Sequence, residues 1–321
     1  MYEPLLLRPS GKDYLWGGQR LNDEFERNVD LNPLAETWEC STHPDGPSYL
    51  NDGTTLQQYI QDHPQVLGKR HADKTQLPIL IKFIDAKMDL SVQVHPDDAY
   101  AKQYENGQLG KTEMWYVLDA SKDAHLIYGL KQTIDKDTFH KALEIGTVDK
   151  YLQKVPIHKG DVFFIPSGMI HAIGAGALVA EIQENSNLTY RLYDYDRMDR
   201  NGKKRQLHIE KALQVADLSA KKEPQQPMRV LKYRNGMAAE LLCRCAYFEV
   251  YRMLVNTEHR QIVHYRADEM GYRVLLCVDG CGVIRYNDHS IDIYKGDCIF
   301  VPADSCTLTI HGKLQFLDVR G

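Results

Sequence analysis

The segment Leu90-Ser91-Val92-Gln93-Val94-His95-Pro96-Asp97-Asp98 alternates strictly between apolar and polar residues. As a strand it puts Ser91, Gln93 and His95 on one face and Leu90, Val92 and Val94 on the other. Polar groups on an inward face are costly unless each finds a partner. The competing reading is a surface strand with that face in water. Shortly after, Gly110-Lys111-Thr112-Glu113 sets a cation and a carboxylate on alternate positions, facing the same way. By itself such a pair is more often a surface ion pair. A separate His171, in Met169-Ile170-His171-Ala172-Ile173, would by itself pass as a core histidine. Together, Glu113, His95, His171 and the Gln93 amide oxygen form a coherent set for a divalent metal such as zinc.

A third stretch, Glu181 to Arg197, is too polar and aromatic to be ordinary core. Arg191 has the fork geometry to clamp a phosphate, and Glu181 is a candidate acid or base on an inward strand position. The alternative for both is a buried network of structural ion pairs. Lys82 is open between pocket and structure. Asp97 and Asp98 read as the cap of a following helix. The run Lys203-Lys204-Arg205 after Asn201-Gly202 reads as a solvated turn, not a nucleic-acid patch.

These residues need a frame, and the chain repeats one. Lys159-Gly160-Asp161-Val-Phe-Phe-Ile-Pro166 is echoed by Lys295-Gly296-Asp297-Cys-Ile-Phe-Val-Pro302, each a Gly-Asp turn entering an apolar strand that ends at proline. Five residues beyond the proline the first copy has His171 and the second Thr307. A duplicated β unit with one working site follows. Short strand-like runs occur at Leu80–Phe83, Leu90–Val94, Met114–Leu118, Val162–Ile165 and Leu178–Ile182. They return at Phe248–Val255, Arg273–Val278, Gly282–Tyr286, Cys298–Val301 and Leu314–Val319. Helical texture is confined to Thr54–Ile60, Asp137–Leu143 and Leu207–Leu213. The fold class is mainly β with helical insertions. The polar, proline-bearing stretch Ala220–Met228 divides it into residues 1–228 and 229–321.

With 321 residues there is length for two ordinary domains. A net charge of −5 and a pI near 6.2 give no general reason to expect nucleic acid or membrane as partner. The amino terminus is no signal peptide and no run spans a bilayer. Seven cysteines, an odd number mostly after residue 240, argue against a secreted disulfide framework. They read as buried thiols in a cytoplasmic protein.

Five ordered blocks carry a resemblance: Leu77–Ala86, Leu90–Asp98, Gly110–Glu113, Ile165–Gly174 and Thr189–Arg197. They closely resemble the type I mannose-6-phosphate isomerases in their shorter bacterial form, from about Trp16 to His208. The resemblance implies two cupin-type barrels or jelly rolls, the second without metal. It further implies one zinc held by Gln93, His95, Glu113 and His171, although cobalt or manganese would accept the same ligands. Lys111 and Arg191 would line the substrate pocket, Ser91 would touch the sugar phosphate, and Glu181 would lie close to the metal. Asn187 and Glu184 depart from the aspartate and glutamine of many relatives.

The implied reaction interconverts mannose 6-phosphate and fructose 6-phosphate through a cis-enediol. It needs a base for a C–H proton, for which Glu181 leads, and charge stabilisation, which Lys111 or Arg191 can give. Two rival classes remain at this point: an iron-dependent cupin oxygenase, and a non-catalytic sugar-phosphate-binding cupin.

Overall fold

The structure is a computed structural model that describes residues 1–199, 201–226 and 228–321. Strands dominate, in three sheets. The site-bearing part consists of a six-stranded and a five-stranded sheet, both antiparallel. The six-stranded sheet is built around Glu36–Cys40, Ile79–Ala86, Ala177–Glu184 and Glu113–Ala120. The five-stranded sheet runs from Tyr190–Tyr193 through Val92–Val94 and His171–Ile173 to His125–Leu130 and Leu152–Pro156.

Alternation gives each sheet two jobs. In the six-stranded sheet Ile84, Trp115, Val117 and Val179 face an inner core, which also takes Leu126 and Ile173 from the five-stranded sheet. The intervening residues Ile81, Phe83, Met114, Tyr116, Ala180 and Ile182 pack the opposite way. On the five-stranded sheet, Val92, Val94, Ala172 and Leu192 bury against helices Lys136–Glu144 and Ile209–Val215 through Phe139, Leu143, Ala212 and Leu213. The faces left over point at each other, and the polar residues of the site lie on them.

Residues 232–320 supply eight of the nine strands of the third sheet. The ninth is Leu5–Leu7, which pairs with Cys298–Val301 and so crosses the division at residue 228. The two runs expected at Arg273–Val278 and Gly282–Tyr286 are one strand, Arg273–Tyr286. A register shift between Cys277 and Asp279, with Gly280 at φ 80°, absorbs the turn signal while both flanks stay paired to Leu308–Arg320. In the other direction, the expected strand Leu90–Val94 is regular only over Val92–Val94.

The repeat is reproduced bond for bond. Gly160 and Gly296 both have positive φ, at 91° and 103°. Asp161 accepts from His158 N and Asp297 from Tyr294 N, each at 2.8 Å. The amides of Gly160 and Gly296 donate to Val117 and Cys277 carbonyls at 2.8 and 2.7 Å. His171 is buried, whereas Thr307 is exposed.

The connector holds no helix or strand among its described residues, and Pro227 lies outside them. It is nevertheless pinned, because the Gln226 side chain bonds both backbone groups of Val162. The cysteines are free, and Cys40, Cys277, Cys298 and Cys306 are buried. No helix among the described residues is long and apolar enough to cross a membrane.

Candidate metal centre and substrate pocket

Strand register assembles the site. His171 and Arg191 both lie opposite Gln93, from its two neighbouring strands. On the facing sheet, Lys82, Glu181 and Trp115 stand in one row, and Glu113 is opposite Gln183. Asp97 caps helix Asp98–Tyr104, as its sequence suggests, and its carboxylate accepts from Tyr100 N at 2.8 Å. That turn brings the chain back so that Lys111 N bonds Pro96 O at 3.0 Å.

His95, Glu113 and His171 are fully buried, with ligand atoms all within 4.8 Å of one another. Nδ1 of His95 sits 2.7 Å from the Leu188 carbonyl, and Nδ1 of His171 lies 2.8 Å from that of Met169. A carbonyl only accepts, so both Nδ1 atoms carry the proton and both Nε2 atoms present lone pairs. Those Nε2 atoms face each other at 3.1 Å. Burial, with Lys111 next, pushes His95 well below its ordinary value, and burial lowers His171 too, so neither ring is charged.

Glu113 Oε1 is 3.2 Å from His95 Nε2, and Oε2 is 3.8 Å from His171 Nε2. Neither oxygen has a well-formed hydrogen bond, although Lys111 Nζ stands 2.8 Å from Oε1. Burial opposes the Glu113 charge, but the Lys111 ammonium beside it overcomes that and holds the carboxyl below its usual range. Lone pairs of two neutral imidazoles and a buried carboxylate converging on one point repel one another, an arrangement that Lys111, 3.4 Å from His95 Nε2, offsets in part and a metal ion would offset fully. The donor set therefore fits a divalent metal. The Gln93 side chain lies beside this cluster, its amide nitrogen 3.5 Å from His171 Nε2 and its oxygen accepting from Ser91 Oγ at 3.5 Å.

Beside this cluster opens a pocket of about 250 Å³ lined by Tyr14, Glu36, Lys111, Glu181, Arg191 and Arg205, among others. Ser91, Gln93 and Lys82 also line it. The inward reading of Ser91, Gln93 and His95 is therefore correct, and the Lys111–Glu113 pair is buried rather than superficial. Lys82 lies 3.7 Å from Glu36 and 3.8 Å from Glu181, with its ammonium 4.7 Å over the Trp38 ring. Glu181 accepts from Trp115 Nε1 at 3.3 Å, and burial followed by the Glu113 charge raises its pKa. Arg191 donates through Nε to Ser91 Oγ at 3.2 Å and through Nη1 to Gln206 O at 2.9 Å.

Asn187 also lines the pocket, where its amide donates to Asp45 at 2.8 Å. Glu184 lies outside the pocket lining. Its buried carboxylate accepts from Thr112 N at 2.7 Å and so braces the segment that carries Lys111 and Glu113.

Sequence reasoning missed Tyr14 and Glu36, and it placed Arg205 in a solvated turn. Lys203 and Lys204 are exposed as expected, but Arg205 turns back into the pocket wall. Its forked contact with Asp194, at 2.8 and 2.5 Å, is the reason. For Glu36, the signal was a charge spaced two and four residues from Trp38 and Cys40 in a five-residue strand buried throughout.

A buried His-Glu-His cluster beneath a cationic pocket, between two antiparallel sheets, defines a metal-binding enzyme on a cupin frame. Residues 5–126 match the profile of the phosphomannose isomerase type I catalytic domain, and residues 239–320 that of the mannose-6-phosphate isomerase cupin domain. A probable mannose-6-phosphate isomerase of Bacillus subtilis is 39% identical over 99% of both chains. A second B. subtilis mannose-6-phosphate isomerase is 41% identical over 94% of this chain and 93% of its own. The crystal structure of the mannose 6-phosphate isomerase from B. subtilis superposes with a TM-score of 0.90 at 33% identity, covering 99% of each chain. The chain belongs to the type I phosphomannose isomerase family.

Proposed function

We propose that this chain interconverts mannose 6-phosphate and fructose 6-phosphate, with zinc held by Gln93, His95, Glu113 and His171. The observation that carries the metal reading is the convergence of two unprotonated Nε2 atoms and the Glu113 carboxylate. Family membership supports the reaction. Neither the profiles nor the relatives favour an oxygenase or a non-catalytic binder. Residues 1–228 form the metal-binding unit in this reading, and residues 229–321 the metal-free one.

The reaction moves one proton from C2 to C1 of the open-chain sugar and another from the C2 hydroxyl to the C1 oxygen, through a cis-enediol. When bound, the divalent ion supplies Lewis-acid stabilisation of the charge that develops on oxygen, worth several kcal/mol. Glu181 is the base that takes the C2 proton and returns it at C1. It lines the pocket on the six-stranded sheet, where Lys82 balances its charge and Trp115 orients it. Arg191, oriented by Ser91 and Gln206, binds the non-reacting phosphate and so fixes the sugar for proton transfer. Lys111 stabilises charge next to Glu113.

The deciding experiment follows conversion of mannose 6-phosphate to fructose 6-phosphate before chelation, after it, and with zinc restored. Activity that disappears and returns is the expected result. A folded, zinc-loaded protein with no turnover would refute the isomerase reading.

A further inference from the structure

Charge is unevenly spread along the pocket. Among its charged lining residues, Glu36 and Glu181 flank Lys82, and Lys111 contacts the buried Glu113. That group is close to balanced. Arg191 and Arg205 line the pocket as well, with Arg197 near Arg191. One carboxylate serves this group. Asp194 is 5% exposed, and it binds Arg205 through both oxygens and Arg197 through Oδ1 at 2.5 Å. Among the described residues, three guanidinium groups around one carboxylate leave a surplus of two positive charges.

The hydrogen bonds show where the surplus points. Arg205 spends Nε and Nη2 on Asp194. Arg191 spends Nε on Ser91 and Nη1 on Gln206 O. Among the described residues no hydrogen bond engages Arg205 Nη1 or Arg191 Nη2. Each guanidinium is thus locked on two nitrogens with a third uncommitted. The backbone holds the two arginines together, since His208 N donates to Arg191 O at 2.7 Å and Arg191 N lies 3.2 Å from His208 Nδ1. Burial, then the nearby Arg205 charge, lowers the proton affinity of Arg191, with Asp194 opposing the shift. Lys204 does not share this role, because it turns out to Asp196 at 2.6 Å and is exposed.

We infer that Arg205, oriented by Asp194, is a second phosphate-binding cation, which pairs with Arg191 to hold the substrate's phosphoryl group. The inference rests on the sugar-phosphate reading above and deepens it. A phosphoryl group carries close to two negative charges near neutral pH, which matches the surplus. Two locked forks also fix its position better than one, and this sets which sugar carbons reach Glu181. Asp194 is then a positioning residue. Its buried carboxylate prevents Arg205 from following Lys203 and Lys204 into solvent.

The test compares Arg205→Gln with Lys203→Gln, which removes the same formal charge from an exposed position of the same turn. Two readouts are taken on each folded, zinc-loaded protein: KM and kcat for mannose 6-phosphate, and calorimetric affinity for inorganic phosphate. Arg205→Gln should raise KM and weaken phosphate binding by about tenfold to a hundredfold, the loss of a charge-assisted hydrogen bond, with a much smaller change in kcat. Lys203→Gln should move neither value by more than about twofold. Asp194→Asn should raise KM in the same direction, and Arg205→Lys should recover part of the phosphate affinity. Unchanged KM and phosphate affinity in folded Arg205→Gln would overturn the assignment, as would equal losses in Lys203→Gln. Absence of turnover in the wild-type chain would refute the isomerase reading alone, and phosphate calorimetry would still decide Arg205.

Discussion

Two histidine nitrogens 3.1 Å apart, both without a proton, are the most constraining local fact in this protein. Each ring is fixed by the carbonyl on its far nitrogen, so neither can turn away. Removing the carboxylate that shares the cluster should therefore act mainly on metal. Glu113→Gln is expected to lower zinc affinity at least tenfold to a hundredfold, measured by metal competition with a chelator, and to reduce activity in parallel. Glu181 gives the opposite pattern, because it lies outside the ligand cluster. Glu181→Gln should keep its zinc and lose about 10² to 10⁴ in kcat. Near-normal turnover with metal intact would remove Glu181 as the base. Gln93 and His95 were legible as a pair because period-two spacing puts them on one face, whereas strand pairing and sheet packing bring His171 and Glu113 to them. Arg205 was not, since its neighbours are exposed lysines and it is Asp194, in the preceding loop, that turns it inward.

At the scale of elements, the segment Gly110–Glu113 is clamped rather than merely connected. Gly110 N donates to Asp98 at 2.7 Å, Lys111 N to Pro96 O at 3.0 Å and Thr112 N to Glu184 at 2.7 Å. Burial and the nearby Asp98 charge raise the Glu184 pKa to about 7, despite the Thr112 bond. The native state thus keeps this proton to a higher pH than the unfolded chain, whose value is near 4.5. The stability from this group is full below about pH 4.5 and is lost as pH rises through about 7. Glu184→Gln keeps an acceptor for Thr112 and cannot ionise. Denaturant titrations should show wild type losing on the order of 2 kcal/mol more than the variant between pH 5 and 8. Parallel pH dependence in the two proteins would reject this account. Glu184 could be flagged in the sequence as a departure, but its partner could not, because Thr112 is 72 residues away in the chain.

Over the whole molecule, the two halves share one apolar core. Ile81, Phe83, Met114 and Tyr116 on the back of the six-stranded sheet join Leu242, Phe248, Tyr272, Val274, Phe300 and Leu317. Leu5–Leu7 is itself a strand of the C-terminal sheet. Thermal unfolding should consequently be a single transition, and two separated transitions by calorimetry would show independent halves. Arg27 is the polar strut of this contact. It binds Glu39 at 2.7 Å and donates to the carbonyl of Gly296, in the second Gly-Asp turn. Arg27→Met leaves Glu39 buried without its cation and should cost about 3 to 5 kcal/mol in chemical denaturation. Adding Glu39→Leu should restore most of that loss, since an apolar pair need not be desolvated.

From residue type, alternation and the repeated Gly-Asp turn, the chain alone determined a mainly β protein, a repeated turn-and-strand unit and candidate metal ligands. These depend on periodicity and on short-range turn chemistry, which are local. Tertiary structure alone decided that the halves bury one core, that Arg273–Tyr286 is continuous, and that Tyr14, Glu36 and Arg205 reach the pocket. Each of those depends on a partner outside the local pattern, such as Lys82 for Glu36. No local pattern records which distant strand or carboxylate a side chain will meet.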